Sequence, residues 1–268
     1  EGQVNLNAPG WDRPSLGPAA GASGRWTDRP TITYAPVSGE QFTKSLLTPI
    51  PPISLLGMIQ SGWPAEFVFG MAVRAINGIA NGTRASILEQ DPDPRFGELL
   101  QAMTEIQKSS AINIRIDRRP EGDVAILVLR RGDAPEITSA RQTVRSILGL
   151  DEASNEFLLE YGAIADRPDV VAILTRSLLE IIGEFSFGVD VPQQHIDEGR
   201  TQPARAFSDS WAPPTIAIRS GESAPKDAFV AIPYRGYWYW IDDRDYEAKQ
   251  MFSFMLLLTS LAETGTAP

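Results

Sequence analysis

The sequence contains no cysteine, and this absence excludes several kinds of chemistry at once. Disulfides, thiolate zinc sites, iron–sulfur clusters and cysteine nucleophiles all require that residue. Histidine is nearly absent as well, because His195 is the only one in the chain. A typical zinc site therefore lacks its ligands. We expect His195 to be a solvent-facing loop residue, and we expect no metal ion and no cofactor.

The motifs of the common nucleotide-binding and hydrolytic enzymes are also missing. The chain has no G-x-G-x-x-G, no P-loop and no G-x-S-x-G elbow. No residue therefore qualifies as a catalytic candidate, although carboxylates are numerous enough to leave a paired-carboxylate hydrolase as an alternative. Asp242, Asp243 and Asp245 stand where a predicted strand gives way to a helix, and there we favour helix capping over calcium binding.

Positive charge and long apolar runs are both scarce. The chain has 24 Lys and Arg against 34 Asp and Glu, a formal net charge of -10, which argues against nucleic acid or anionic lipid as a partner. The uncharged stretch 45–65 is interrupted by prolines, whereas a spanning helix needs about 20 consecutive apolar residues. We therefore expect no transmembrane span, and two buried helices at 53–61 and 65–80.

The chain of 268 residues has the composition of a globular protein, with 43% hydrophobic and 22% charged residues. Residues 1–29 are rich in Gly and Pro and predict an extended arm, in which Trp11 and Trp26 are candidate contact residues. A single domain is expected over 30–268. The chain begins at Glu1 rather than Met, which fits removal of an export signal.

The spacing of apolar residues predicts an α+β fold, with helices packed on one face of a mainly antiparallel sheet. A helical part is expected over 38–110, and the sheet with buried helices over 111–265. The predicted helices are 38–47, 53–61, 65–80, one starting at Asp93-Pro94, 136–148, 169–187 and 243–263. The predicted strands are 31–35, 112–117, 124–129, 156–161, 215–219, 229–234 and 237–241. Residues 189–213 predict a long loop, and the last helix, apolar nearly all round, is expected to be buried centrally.

The last predicted strand is unusually aromatic. Tyr237 and Tyr239 face one way along it, and Trp238 and Trp240 face the other. Exposed aromatic residues often dominate binding interfaces, so these four are candidate interaction residues, with ordinary core packing as the alternative. We expect the tyrosine face to be the exposed one, because hydroxyl groups tolerate water.

Two stretches carry a family resemblance. One is Arg29-Pro30-Thr31-Ile32-Thr33-Tyr34 with Ser38–Phe42 and Pro49–Pro52, and the other is Tyr234–Asp245 with Lys249 and the Phe/Leu-rich helix. They resemble a family of uncharacterised proteobacterial envelope proteins, often labelled hypothetical proteins or lipoproteins, over residues 29–265. The resemblance implies an envelope location and no particular activity. Membrane association would then require a lipid anchor upstream of Glu1, because the chain has no cysteine.

The leading hypothesis is a non-enzymatic envelope protein that acts through binding other protein chains or through self-assembly. It rests on the missing catalytic motifs, the aromatic strand and the tryptophans of the arm. The alternatives are a carboxylate-based hydrolase, and a carrier of lipid or another small molecule whose pocket lies between the sheet and the apolar helices 53–80.

Overall fold

The computed structural model describes residues 39–84, 90–119, 122–130, 134–201 and 216–264. Helices in this part of the chain are α1 (Gly39–Leu47), α2 (Pro52–Gln60), α3 (Ala65–Ala72), α4 (Pro94–Lys108), α5 (Pro135–Leu148), α6 (Leu178–Ser186), α7 (Gln193–Asp197) and α8 (Tyr246–Thr264). Strands are β1 (Val73–Ile76), β2 (Ile79–Ala80), β3 (Ile112–Arg119), β4 (Gly122–Leu129), β5 (Glu156–Tyr161), β6 (Val170–Thr175), β7 (Arg219–Gly221), β8 (Ala228–Tyr234) and β9 (Tyr237–Asp242). The predicted arm 1–29, with Trp11 and Trp26, and the predicted strand 31–35 lie outside the described residues.

Six strands form one sheet in the order β2-β1-β6-β5-β4-β3. Four of its five pairings are antiparallel, and β5 and β6 run parallel. Helix α2 contacts β3, β5 and β6, and α4 contacts β2 and β3, so a continuous apolar core lies between these helices and the sheet. The predicted α+β class with a mainly antiparallel sheet is confirmed.

Three further strands form a second, antiparallel sheet in the order β7-β9-β8. The turn between β8 and β9 consists of Arg235 and Gly236, whose φ angles are 49° and 86°. Two positive φ angles are what a two-residue type I′ turn requires, and the predicted hairpin is confirmed. The strand predicted at 215–219 is shorter and begins later, as β7 (Arg219–Gly221). Strand β8 is left at the edge of this sheet.

The helix predicted over 65–80 is wrong in its second half. Helix α3 ends at Ala72, and the chain then forms the β1–β2 hairpin around Asn77 and Gly78, with φ angles of 45° and 82°. The Asn-Gly pair suits such a turn, and β1 also pairs with β6 in the buried sheet. Sheet pairing therefore overrides the helical spacing of the apolar residues.

The helix predicted over 169–187 is also wrong in its first half. Val170–Thr175 is strand β6, which lies between β1 and β5 and is buried on both faces. A continuous apolar run is what such a strand needs. Helix α6 begins only after Ser177, whose hydroxyl and the Glu180 carboxylate form a reciprocal capping box.

Helix α8 is buried along one face and not all round as expected. Ala248, Met251, Phe254 and Leu258 are buried, whereas Leu256 is 55% exposed. Helices α1 and α6 and strand β9 contact α8, the rings of Trp63 and Phe67 lie against Phe254, and Phe229 of β8 lies against Phe252. None of the helices in the described part of the chain combines the length and the apolar content that crossing a membrane requires.

Candidate functional site

An apolar groove lies between the three-stranded sheet and two helices, α6 and α8. Its volume is about 440 Å³. The sheet supplies one wall through β8 and β9, and the helices supply the others. We define the apolar groove by its lining residues, which are Ile182, Phe185, Ser186, Val189, Ile216, Ile218, Val230, Ala231, Ile232, Tyr239, Trp240, Ile241, Phe252 and Met255.

The helical walls are positioned by caps at their first residues. Helix α6 starts at the Ser177 capping box, and its Phe185 is buried while Ile182 is 41% exposed. Helix α8 follows Asp245, whose carboxylate accepts a hydrogen bond from the Ala248 backbone N–H at 2.9 Å. On α6, buried Phe185 and exposed Ile182 both reach the groove, so the groove continues outward from the core.

The end of α6 is tied to the approach to β7 at Gly188. The Gly188 carbonyl accepts a hydrogen bond from the Ile218 backbone N–H at 3.0 Å. A Cβ atom on Gly188 would lie 1.9 Å from the Ile216 carbonyl oxygen, so only glycine allows the two segments to lie this close. This contact brings Ile216 and Ile218 to the groove.

The aromatic strand β9 forms part of the groove wall. Its tyrosine face also carries Ile241, which is 2% exposed, so this face packs towards the core. The Tyr237 hydroxyl donates to Gln194 Oε1 at 3.0 Å, and burial raises the pKa of Tyr239. The expectation of an exposed tyrosine face is therefore wrong, because all four aromatic residues, Trp238 included, are half-buried.

The tryptophan face has its own close contact. A Cβ atom on Gly221 of β7 would lie 3.3 Å from the ring of Trp240, so the ring lies against the backbone of that strand. Trp240 is also one of the residues that line the apolar groove.

His195 is not the solvent-facing loop residue that we expected. It lies on α7, is 9% exposed, and its ring contacts the Tyr237 ring edge-on with 5.1 Å between centroids. The predicted loop 189–213 thus contains a short helix that covers one end of β9. The packing of His195 against an aromatic ring is a structural role.

The acidic residues at the end of β9 and just after it act as caps and ion-pair partners. Asp242 accepts from the Arg244 backbone N–H at 2.9 Å, Asp245 caps α8, and Asp243 pairs with Lys249 at 3.3 Å. Helix capping, which we favoured, is what the structure shows at Asp245. The described residues include no group of three or more His, Asp or Glu side chains that could hold a metal ion.

A second, polar cleft of about 940 Å³ runs along α4 and α5. Two of the arginines that line it, Arg141 and Arg145, have internal partners. Arg141 donates to Asn155 Oδ1 at 2.8 Å, and Arg145 donates to the same oxygen at 3.0 Å. These guanidinium groups hold the turn before β5 against α5, so the cleft does not present them to a ligand.

Where the predicted pocket between the sheet and helices 53–80 would lie, the structure has a partly polar cleft of about 420 Å³, lined by Ile59 and Gln60 of α2 and by Ile112 and Asn113 of β3. Leu55 and Val68 are fully buried in the core under the six-stranded sheet. The apolar groove lies beside α6 and α8 instead. We did not predict from the sequence that these two helices line a pocket.

Comparison with known protein families, with curated proteins and with solved structures finds no match for this chain. The case for function therefore rests on the geometry of the groove.

Proposed function

We propose that this protein is a non-enzymatic binding protein that holds an apolar segment of another protein chain in the apolar groove. The observation that carries the proposal is an apolar groove whose rim residues are large and exposed. Ile182 on α6 is 41% exposed and Ile232 on β8 is 58% exposed, and both line the groove. Large apolar patches of this kind mark binding surfaces in soluble proteins.

A protein partner is favoured over a single acyl chain because the apolar surface continues beyond the groove. Leu179 on α6 and Phe229 and Tyr234 on β8 are also about half exposed. Aromatic residues at the centre of such a surface are typical anchors of protein interfaces. The formal net charge of -10 favours a basic partner, because opposite charge speeds encounter and disfavours acidic competitors.

A carrier of lipid or another small apolar molecule is the second candidate. The volume of about 440 Å³ favours it, since small-molecule pockets commonly measure roughly 300–1,000 Å³. A carboxylate hydrolase has less support, because none of the described residues lining the groove is a carboxylate or a histidine. The envelope location also stays a proposal, and its support is the family resemblance.

The test compares two isoleucines of similar exposure on two helices. Ile182 lines the groove at 41% exposure, and Ile53 on α2 lies outside it at 37%. We expect Ile182→Gln to weaken binding of a synthetic peptide of alternating leucine and lysine about tenfold. Losing one buried aliphatic contact is worth roughly 1.5 kcal/mol. Isothermal titration calorimetry measures the affinity.

The matched control, Ile53→Gln, should bind the peptide like the wild type. A peptide of alternating serine and lysine reports the purely electrostatic contribution, and its affinity should not differ between the variants. Equal peptide affinity of Ile182→Gln and wild type would contradict the proposal. Binding of palmitate without binding of the peptide would favour the carrier instead.

A further inference from the structure

The β1–β2 hairpin and the residue just after it contain two asparagines that are each followed by glycine, as Asn77-Gly78 and Asn81-Gly82. In such a pair the backbone nitrogen of the glycine can attack the side-chain carbonyl carbon of the asparagine, because no glycine side chain hinders its approach. A C–N bond forms, ammonia leaves and a cyclic succinimide results. Water then opens the ring to aspartate or to isoaspartate. The two pairs are therefore candidate sites of spontaneous deamidation.

The closed hairpin holds both reacting groups of the first pair. The Gly78 backbone N–H donates a hydrogen bond to the Ala163 carbonyl oxygen at 2.7 Å. The Asn77 side chain donates through Nδ2 to the Leu148 carbonyl oxygen at 2.9 Å and accepts through Oδ1 from the Ala172 backbone N–H at 2.7 Å. Ring closure at Asn77 therefore requires the turn to open first.

Opening of this turn involves a small part of the sheet. Strand β2 is only two residues long and lies at one end of the six-stranded order, and Gly78 is exposed at the turn. Short segments of this kind open locally at a lower free energy than global unfolding requires. The Asn77-Gly78 pair can therefore become reactive while the rest of the domain stays folded.

The second pair is held in the core. Asn81 is fully buried, and its Nδ2 donates to the carbonyl oxygens of Gly70 at 2.8 Å and Val73 at 2.7 Å. Gly82 is also buried, and a Cβ atom built on it would lie 2.7 Å from the Pro92 backbone nitrogen. This backbone has no room to move towards the Asn81 side chain, so reaction there requires the end of α3 and its surroundings to unfold.

We infer that Asn77 is a site of spontaneous deamidation in the folded protein, reached through local opening of the β1–β2 hairpin, whereas Asn81 is protected until the domain unfolds. Neither residue lines the apolar groove, so this modification site is independent of the proposed function.

The modification prevents the hairpin from closing again. In the closed turn the carbonyl oxygens of Leu148 and Val170 accept hydrogen bonds from the Asn77 side-chain amide. Aspartate at this position has no amide to donate and turns a carboxylate oxygen towards them, which leaves both acceptors without that donor. In isoaspartate the main chain gains one methylene group, which does not fit a two-residue turn. Molecules that open once are thus permanently marked.

The two pairs serve as controls for each other in the wild-type protein. Trypsin releases peptide 75–84, which contains both, and its fragmentation spectra report aspartate or isoaspartate at each position. In a denaturant-unfolded sample at mildly alkaline pH, the two should convert at similar rates. In the folded sample we expect Asn77 to convert at least about tenfold faster than Asn81. Equal rates in the folded sample, or no conversion of Asn77 there, would overturn the inference.

A matched pair of substitutions tests the effect on the hairpin. Asn113 is the control, because its Oδ1 accepts hydrogen bonds from the Gln60 side chain at 3.0 Å and the Ile114 backbone N–H at 2.9 Å, contacts that aspartate can keep. In urea denaturation, Asn77→Asp should raise the equilibrium constant for unfolding about tenfold, and Asn113→Asp should leave it near the wild-type value. Wild-type stability of Asn77→Asp would contradict the claim that the modified hairpin cannot close.

Discussion

The side chain of Arg176 lies between β6 and α6 and is only 1% exposed. It donates hydrogen bonds to the carbonyl oxygens of Met71 at 2.9 Å and Gly82 at 2.6 Å. Burial lowers the pKa of this guanidinium, and the nearby Glu184 carboxylate opposes that effect. The arginine thus joins the end of α3 to the chain after β2 directly behind α6. These hydrogen bonds anchor the segment that directly precedes α6, one of the helices beside the groove.

Tyr239 is the residue of the groove whose ionisation reports on its surroundings. Burial raises its pKa above the ordinary value of 10.0, and the neighbouring Tyr234 adds to the effect. The neutral form is favoured in the folded state, so the contribution of Tyr239 to stability is complete below about pH 10. It declines as the pH rises from there through the folded-state pKa.

We therefore expect Tyr239→Phe to lose less stability than the wild type between about pH 9 and about pH 11. Urea denaturation at the two pH values measures the difference. Tyr161, an exposed tyrosine outside the groove, supplies the control, and Tyr161→Phe should keep the wild-type pH dependence. A Tyr239→Phe profile that matches the wild type would mean that the hydroxyl is not shielded by the groove.

At the scale of elements, the connection between α6 and β7 depends on close backbone approach at Gly188. We expect Gly188→Ala to destabilise the fold by roughly 1–3 kcal/mol, because its Cβ would overlap the Ile216 carbonyl oxygen. Gly57 in α2 is the contrast, since no atom lies within 4 Å of its added Cβ. Gly57→Ala should stabilise by roughly 0.5–1 kcal/mol through better helix propensity.

Urea denaturation of the two glycine variants measures both effects. Groove binding by Gly188→Ala should also weaken, because Ile216 and Ile218 move with the displaced segment. If Gly188→Ala is as stable as the wild type, the close approach of these segments is not as described.

Elements whose ends carry capping or turn residues could be predicted from the sequence. Elements that depend on pairing with distant parts of the chain could not. Helix α4 begins where Asp93 and Pro94 predicted, and the Asp93 carboxylate accepts from the Arg95 backbone N–H at 2.9 Å. Strand β6 was missed because its apolar run fits a helical stripe as well, and only pairing with β1 and β5 makes it a strand. The Asn77-Gly78 turn was a usable signal for the β1–β2 hairpin.

The groove was predictable only in part, because the burial of its residues depends on which elements pack against them. The composition of β9 identified the aromatic strand, and its hairpin with β8 follows from Arg235-Gly236. The sequence could not show which face of that strand meets the core, because both faces are aromatic. Nor could it show that α6 and α8 leave apolar residues uncovered, since exposure depends on which elements pack against a helix and not on its own periodicity.

At the scale of the whole molecule, the two sheets have different surroundings. The six-stranded sheet lies against α2 and α4 and carries much of the core, whereas the three-stranded sheet forms one wall of the open apolar groove. The polar α4–α5 cleft is larger, but its arginines are engaged internally. We therefore place binding at the groove, and the two surfaces can be distinguished in one experiment.

Isoleucine methyl groups distinguish binding at the apolar groove from binding at the α4–α5 cleft in solution. Five isoleucines line the apolar groove, namely Ile182, Ile216, Ile218, Ile232 and Ile241. Ile147 lines the α4–α5 cleft, and Ile53 lies on neither surface. Methyl-labelled NMR spectra recorded during titration with the leucine–lysine peptide report each of these positions. The account predicts shifts of the five groove methyl signals with Ile147 and Ile53 unchanged, whereas a shift of Ile147 with the groove signals unmoved would contradict it.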